Sequence, residues 1–234
     1  MKLSLSVTAA LLLVAFSTRA SDGLVQENEQ CVRLTASDHR SVSLEFELPE
    51  IQKQEVEREG ELFEAYDVPG EGVTYEYGRP LLPAISRFVV VPPTAGLELV
   101  VRPDHPRTVR SIHPPVLCLD ESLTDTGGAD IPVRYDDGLY PPVVAEMSEP
   151  SVIRGVRLVK LTTYPIQYDP ASGSYIHHEH IEAEIRFTDD PPESPARVPV
   201  RRNRSREFLK FIRALALGGD EVGRDDPDRD VEPE

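Results

Sequence analysis

The sequence predicts an all-β protein: an antiparallel β-sandwich, jelly-roll-like, followed by a short C-terminal amphipathic helix and a disordered acidic tail. Three observations carry that expectation. Apolar and polar residues alternate in several short runs, most cleanly Val42, Leu44, Phe46 and Leu48 against Ser43, Glu45 and Glu47, which is the period of a half-buried strand. The chain holds 22 prolines, and many fall between such runs, where a residue without an N–H ends a ladder. Beyond residue 204 the spacing changes: Phe208, Phe211, Ile212 and Leu215 recur at helical intervals.

The stretch 78–93 organises the rest. Gly78 suits a turn, Pro80 and Pro83 stiffen the backbone, Phe88, Val89, Val90 and Val91 form a short apolar run, and Pro92 and Pro93 stop it. Such a run fits a strand covered on both faces. Before it, residues 51–58 and 61–68 flank Glu59-Gly60 and read as a hairpin, whose Glu55, Glu57, Glu59, Glu61 and Glu64 suit a solvated face that discourages edge pairing. After it, Leu97, Leu99 and Val101 line one side of a strand over 97–102, with 108–112 as its expected partner across Pro103 and Pro106. Residues 113–150 read as long loops with short strands. A strand is expected over 152–161, with Gly155 marking a bulge or close approach. Residues 164–168 and 174–188 form a hairpin about the turn 169–173, with Ile181, Ala183, Ile185 and Phe187 inward.

The domain plan follows from these runs. Residues 1–20 are a secretory signal, 21–40 a loose segment, and 41–188 the sandwich. Residues 189–204 are a linker, proline-rich and acidic and then arginine-rich; 205–219 hold the helix, capped by Ser205 and stopped by Gly218-Gly219; 220–234 are the disordered tail. Lys2, the apolar run 7–16 and the small residues before Ala20 give the signal its three parts, with cleavage expected after Ala20. That run is shorter than the roughly 20 residues a membrane span needs, so a secreted chain, periplasmic or extracellular, is expected.

The formal net charge of −16 opposes binding to nucleic acid or to an anionic membrane, both polyanions. Of the two cysteines, Cys31 and Cys118, either a disulfide joins them, as an exported chain permits, or both are buried thiols. Neither has an activating neighbourhood in sequence.

Few residues offer chemistry. His177, His178, Glu179 and His180 are ligand types. On a single strand His178 and His180 would share a solvated face with Glu182, Glu184 and Arg186, and no further ligand for a zinc site stands out. Asp120, Asp125 and Asp130 lack the spacing of a calcium loop. No nucleophile-elbow, zinc-helix or phosphate-loop motif occurs, so no catalytic residue, metal or cofactor is expected. The segment holding Arg201, Arg202, Arg204 and Arg206 has the placement of a proteolytic site, between a linker and a helix. The bland alternative is a basic helix start, which the helix dipole disfavours.

The ordered set Gly78-x-Pro80-Leu81-Leu82-Pro83, Val90-Val91-Pro92, Ile112-His113-Pro114, Tyr140-Pro141-Pro142, Arg154-Gly155-x-Arg157 and Pro165-Ile166-Gln167-Tyr168-Asp169-Pro170 resembles the N-terminal propeptide of gingipain-type cysteine peptidases over residues 40–217. The resemblance implies a β-sandwich prodomain that covers a peptidase active site, assists its folding and is removed by cleavage after basic residues. Its partner would be a gingipain-type cysteine peptidase domain, in cis downstream or in trans. The family's Cys-His machinery lies downstream of its propeptide and matches neither Cys31 nor Cys118, so this chain is expected to be non-catalytic. The alternative from another class is a stand-alone secreted binding module for carbohydrate or an envelope partner, against which stands the absence of tryptophan.

Overall fold

A computed structural model describes residues 31–48, 51–58, 60–118, 138–189 and 205–222. The signal region with Ala20, the segment 21–30, the loop with Asp120, Asp125 and Asp130, residues 190–204 and the tail beyond 222 lie outside the described residues.

Fifteen strands and one α-helix are described: β1 (Val32–Ser37), β2 (Ser41–Glu47), β3 (Gln52–Arg58), β4 (Glu61–Asp67), β5 (Gly72–Val73), β6 (Pro83–Val91), β7 (Gly96–Asp104), β8 (Arg107–Arg110), β9 (Ala145–Met147), β10 (Ser151–Ile153), β11 (Val156–Thr163), β12 (Ile166–Asp169), β13 (Ser174–His177), β14 (His180–Thr188), α1 (Arg206–Leu215) and β15 (Ala216–Leu217). The first sheet runs β1-β2-β14-β7. The second runs β10-β11-β6-β15, with β5 added to β6 and β9 to β11. A third holds β12-β13-β8, and β3 with β4 stands as a separate hairpin. Pairing is antiparallel except for β15, which lies parallel to β6.

The first two sheets face each other. Val42, Leu44 and Phe46 from β2 and Ile181, Ala183 and Ile185 from β14 meet Ile85, Val89 and Val91 from β6 and Val159 and Leu161 from β11 in one core. The period-two pattern of β2 and β14 turns one side inward and leaves the other wet. Strand β6 serves two layers, since Val89 turns to this core and Val90 packs against the helix, but its outer face is not wholly covered as its apolar run predicts: Phe88 is 38% exposed.

A second apolar centre is aromatic. The Tyr175 ring lies 4.6 Å from Tyr66 and 5.0 Å from Tyr168, with Leu82 and Ile166 closing the cluster. Beside it sits Glu64, wholly buried rather than on the solvated face its run of glutamates suggests. Lys53 Nζ donates to it at 2.7 Å, Tyr66 O–H at 3.0 Å, Ser111 Oγ at 3.2 Å, and the Ile112 and His113 amides at 3.1 and 3.3 Å. A buried carboxylate is tolerable only when so many donors meet it. Burial alone would raise its pKa; the bonds from Lys53, the Ile112 amide, Tyr66 and the His113 amide outweigh that and hold it low. One side chain thereby ties the β3–β4 hairpin to the 111–116 segment.

Several expectations change. Residues 32–37, read as loose, form β1 and pair with β2 across an irregularity between Leu34 and Ala36. The run 152–161 is two strands, because Arg154 (φ 45°) and Gly155 (φ 79°) make a two-residue turn between Ile153 and Val156. Positive φ at both central positions is the geometry that matches strand twist in a tight hairpin. Strands β7 and β8 follow one another yet do not pair. β7 joins β14 in the first sheet and β8 joins β13 in the third. The run 174–188 likewise splits at His178-Glu179: β13 completes the hairpin with β12, and β14 crosses to the first sheet.

That split removes the shared polar face of the histidines. His178 is buried, its Nε2 2.8 Å from Gln167 Oε1. His180 Nε2 lies 2.8 Å from Glu45 Oε1, and His177 stands edge-on to Tyr66 with centroids 5.7 Å apart. The cysteines correct the idea of a disulfide. Both are buried free thiols: Cys31 belongs to the main core, while Cys118 exchanges backbone bonds of 2.8 Å with Gly78 and Arg79. Burial first, then the charge of Glu71, pushes the Cys31 thiol up, away from nucleophilic character.

Glu64→Gln should destabilise the domain by about 1–3 kcal/mol in denaturant unfolding, since the amide carries no charge for Lys53 and brings donors among donors. Burial pushes the pKa of His177 and His178 down. A depressed folded pKa means stability that is complete above the unfolded value and lost as pH falls through the folded one. The thermal midpoint should therefore drop below about pH 6.5. A His178→Gln variant should flatten part of that slope even if its midpoint at neutral pH is lower.

Candidate functional site

The arginine-rich junction and the helix that follows it are the region where the sequence places a function. Arg201, Arg202 and Arg204 lie outside the described residues; Arg206 opens α1 and is exposed. Ser205 caps the helix in extended backbone, its Oγ accepting from the Phe208 amide at 3.2 Å. Glu207 sits in the first turn. Bonds from its own amide and from Ser205 hold its pKa low, and its negative charge offsets the adverse effect of Arg206 on the helix dipole.

The apolar stripe docks on this same domain. Phe208 and Ile212 are buried against Val156 and Leu158 of β11, with Val90 of β6 beside them. Full burial of a side chain such as Ile212 contributes about 1.5–3 kcal/mol. Phe211, expected on the stripe, is 51% exposed. Leu215 packs at the margin. Arg154, from the β10–β11 turn, reaches over the Phe208 ring at 5.4 Å from its centroid, near enough for a cation–π contact.

The helix does not stop at the two glycines as the sequence suggests. It ends at Leu215, because Ala216 and Leu217 extend into β15 and pair with Phe88 and Val89. Gly218 (φ 76°) then turns the chain. A Cβ at Gly219 would sit 2.8 Å from the Ile212 carbonyl oxygen, so only glycine lets the 3₁₀ turn Gly219–Glu221 close against the helix. Val222 is buried in the same patch, and Arg213 Nε meets Asp220 at 3.3 Å.

Sequence reasoning quoted Arg154 within a motif but missed its contact with the helix, and it missed β15. Arg154 carries no local sign of its partner Phe208, which lies 54 positions further along the chain. The β15 pair is too short for any period, although an apolar pair just before two glycines is its faint trace. Arg157, three residues after Arg154, has a structural task. Its guanidinium donates to the Pro92 and Ala95 carbonyls at 2.9 and 2.6 Å, fixing the link between β6 and β7.

Other surfaces offer less. An open cleft of about 370 Å³ lies between the β1–β2 edge and Leu217, and its Arg33 is already paired with Glu45. Among the described residues no group of histidine, cysteine and acidic side chains could hold a metal ion, and no helix is long and apolar enough to cross a membrane.

Comparison with known proteins agrees with this architecture. The Propeptide_C25 family model matches residues 24–208. Lys-gingipain of Porphyromonas gingivalis is 26% identical over 204 residues, which cover 80% of this chain and 11% of that protein. The chain thus spans about a tenth of the length of the curated relatives it matches. Among solved structures, the complex of Porphyromonas gingivalis RgpB pro- and mature domains superposes with a TM-score of 0.67 at 18% identity, covering 82% of this chain and 98% of that one. A structure addressing zymogenic latency of gingipain K, from the same organism, gives a TM-score of 0.51 at 21% identity, covering 67% of this chain and 92% of that one. The family match over residues 24–208, together with the shared β architecture, places this chain in the Propeptide_C25 family, as a propeptide domain of gingipain-type cysteine peptidases rather than a catalytic domain.

Proposed function

We propose that this chain is exported by its N-terminal signal, with cleavage after Ala20. In the same reading it inhibits a gingipain-type cysteine peptidase and assists its folding until cut in the segment holding Arg201, Arg202, Arg204 and Arg206. The observation that supports this best is the docking of α1. The helix begins at Arg206 and lies on β6 and β11, so the segment after the arginines is held on the domain at a fixed place. A peptidase tethered there would face the domain at about millimolar effective concentration, enough for a modest interface to silence it. An arginine side chain suits a carboxylate-lined specificity pocket, which its planar fork can meet with two parallel hydrogen bonds.

The purified chain should inhibit a gingipain-type peptidase at micromolar concentration, read as residual hydrolysis of a fluorogenic arginyl or lysyl substrate. Replacing Arg201, Arg202 and Arg204 together by Gln should leave inhibition in place and slow cleavage of the chain at least about tenfold, by loss of the charged contact in the pocket. Absence of inhibition, together with glycan binding on an array, would instead favour the stand-alone binding module.

A further inference from the structure

We propose that the free edge of β7 is a self-complementary interaction surface whose occupant is a second copy of this chain, joined by antiparallel pairing of the two β7 strands about Val100.

Strand β7 closes the first sheet. It pairs with β14 along its whole length, from Gly96 opposite Thr188 to Asp104 opposite His180, and among the described residues no strand pairs with its other edge. The backbone pattern shows which groups that edge presents. The Phe187 amide donates to the Arg40 carbonyl, and the Glu179 carbonyl accepts from the Leu48 amide, both on the β2 side of β14. Successive residues of a strand turn their backbone groups to opposite sides, so the even-numbered residues of β14 turn theirs to β7. Their partners are the even-numbered residues of β7. The amides of Leu97, Leu99 and Val101, and the carbonyls of these residues and of Pro103, therefore point outward. Pro103, which has no N–H, sits where an edge strand tolerates it.

Three features make this edge fit itself. It is nine residues long, and its one proline, the usual guard against edge pairing, stands near its end. Leu97, Leu99 and Val101 are half-buried at the margin of the main core, and a sheet continued past β7 would take more of their surface from water. The charges also match. A two-fold axis through Val100 sets Glu98 opposite Arg102 of the second copy, and Arg102 opposite its Glu98. Within the chain, Arg102 lies opposite Glu182 and Glu98 opposite Arg186. Each row across the joined sheets then reads Glu182, Arg102, and Glu98 and Arg186 of the second copy, alternating in sign. Opposite charges directly across a strand pair are favourable and like charges are not.

The same charges select the register. A slide of one residue would turn the inward side chains outward. A slide of two residues sets Glu98 against Asp104 in one direction, and leaves Glu98 against Val100 in the other. In the centred register Leu99 exchanges both backbone bonds with Val101 of the second copy. The net charge of −16 opposes the encounter, but screening over about 8 Å at physiological salt weakens that long-range repulsion more than the contacts at the seam. One strand pair is a small interface, so the association is weak and reversible.

Sedimentation velocity of the purified chain at about 0.15 M salt, over roughly 1–500 μM, should show a monomer–dimer equilibrium. The amides of Leu99 and Val101 should exchange with solvent more slowly at the high end of that range than at the low end. Glu98→Arg and Arg102→Glu should each raise the dissociation constant at least about tenfold, since each sets like charges together twice. Mixing the two variants should restore a dimer, because the mixed pair has opposite charges at both places. Where a variant fails to fold, amide exchange of the unaltered chain decides. A chain that stays monomeric throughout, edge amides indifferent to concentration, or a dimer indifferent to both reversals overturns the proposal. The pairing uses neither the arginine-rich junction nor a peptidase, so its failure would leave the proposed inhibition untouched.

Discussion

Strand β6 shares its apolar residues between two layers, although Ser86 and Phe88 on its outer side stay exposed. Its Ile85, Val89 and Val91 enter the core shared with β2 and β14, while Val90 faces the helix. No single partner can satisfy such a strand. It must be placed inside a sheet, with a second sheet on one face and something further on the other. The rest of the architecture answers that demand. β11 pairs along seven residues of β6, β15 takes its other edge, and the first sheet and α1 supply the two covers.

The second constraint is polar. Glu64 would be intolerable in the protein interior if left alone, so the chain brings Lys53, Tyr66, Ser111 and two amides to it. This fastens a hairpin that shares no sheet with its neighbours. The tyrosine cluster beside it gives the third sheet an interior of its own. The domain is thus several small sheets locked by one carboxylate and three apolar clusters.

Much of this was legible. The alternation in β2 and β14 gave their inward faces correctly, since a half-buried antiparallel strand writes its own period into the sequence. Ser205 as a cap and Phe208 with Ile212 as the buried stripe were legible for the same reason: helix ends and faces are local. The errors share a cause. β7 with β8, and β13 with β14, are neighbours in sequence assigned to different sheets, and periodicity carries no information about which strand a partner will be. Glu64 looked like its solvated neighbours because residue type does not reveal the five donors that converge on it.

The sequence by itself determined the class of fold, most strand and helix positions, the absence of recognisable catalytic motifs, and, through an ordered set of weak motifs, the family. Tertiary structure alone decided that the terminal helix turns back on its own domain, that Arg154 reaches Phe208, that the cysteines stay apart and that His178 is buried. The division follows the range of the forces involved. Backbone period and capping act over a few residues and leave marks there, whereas desolvation and side-chain pairing depend on what the folded chain brings near, which no local pattern records.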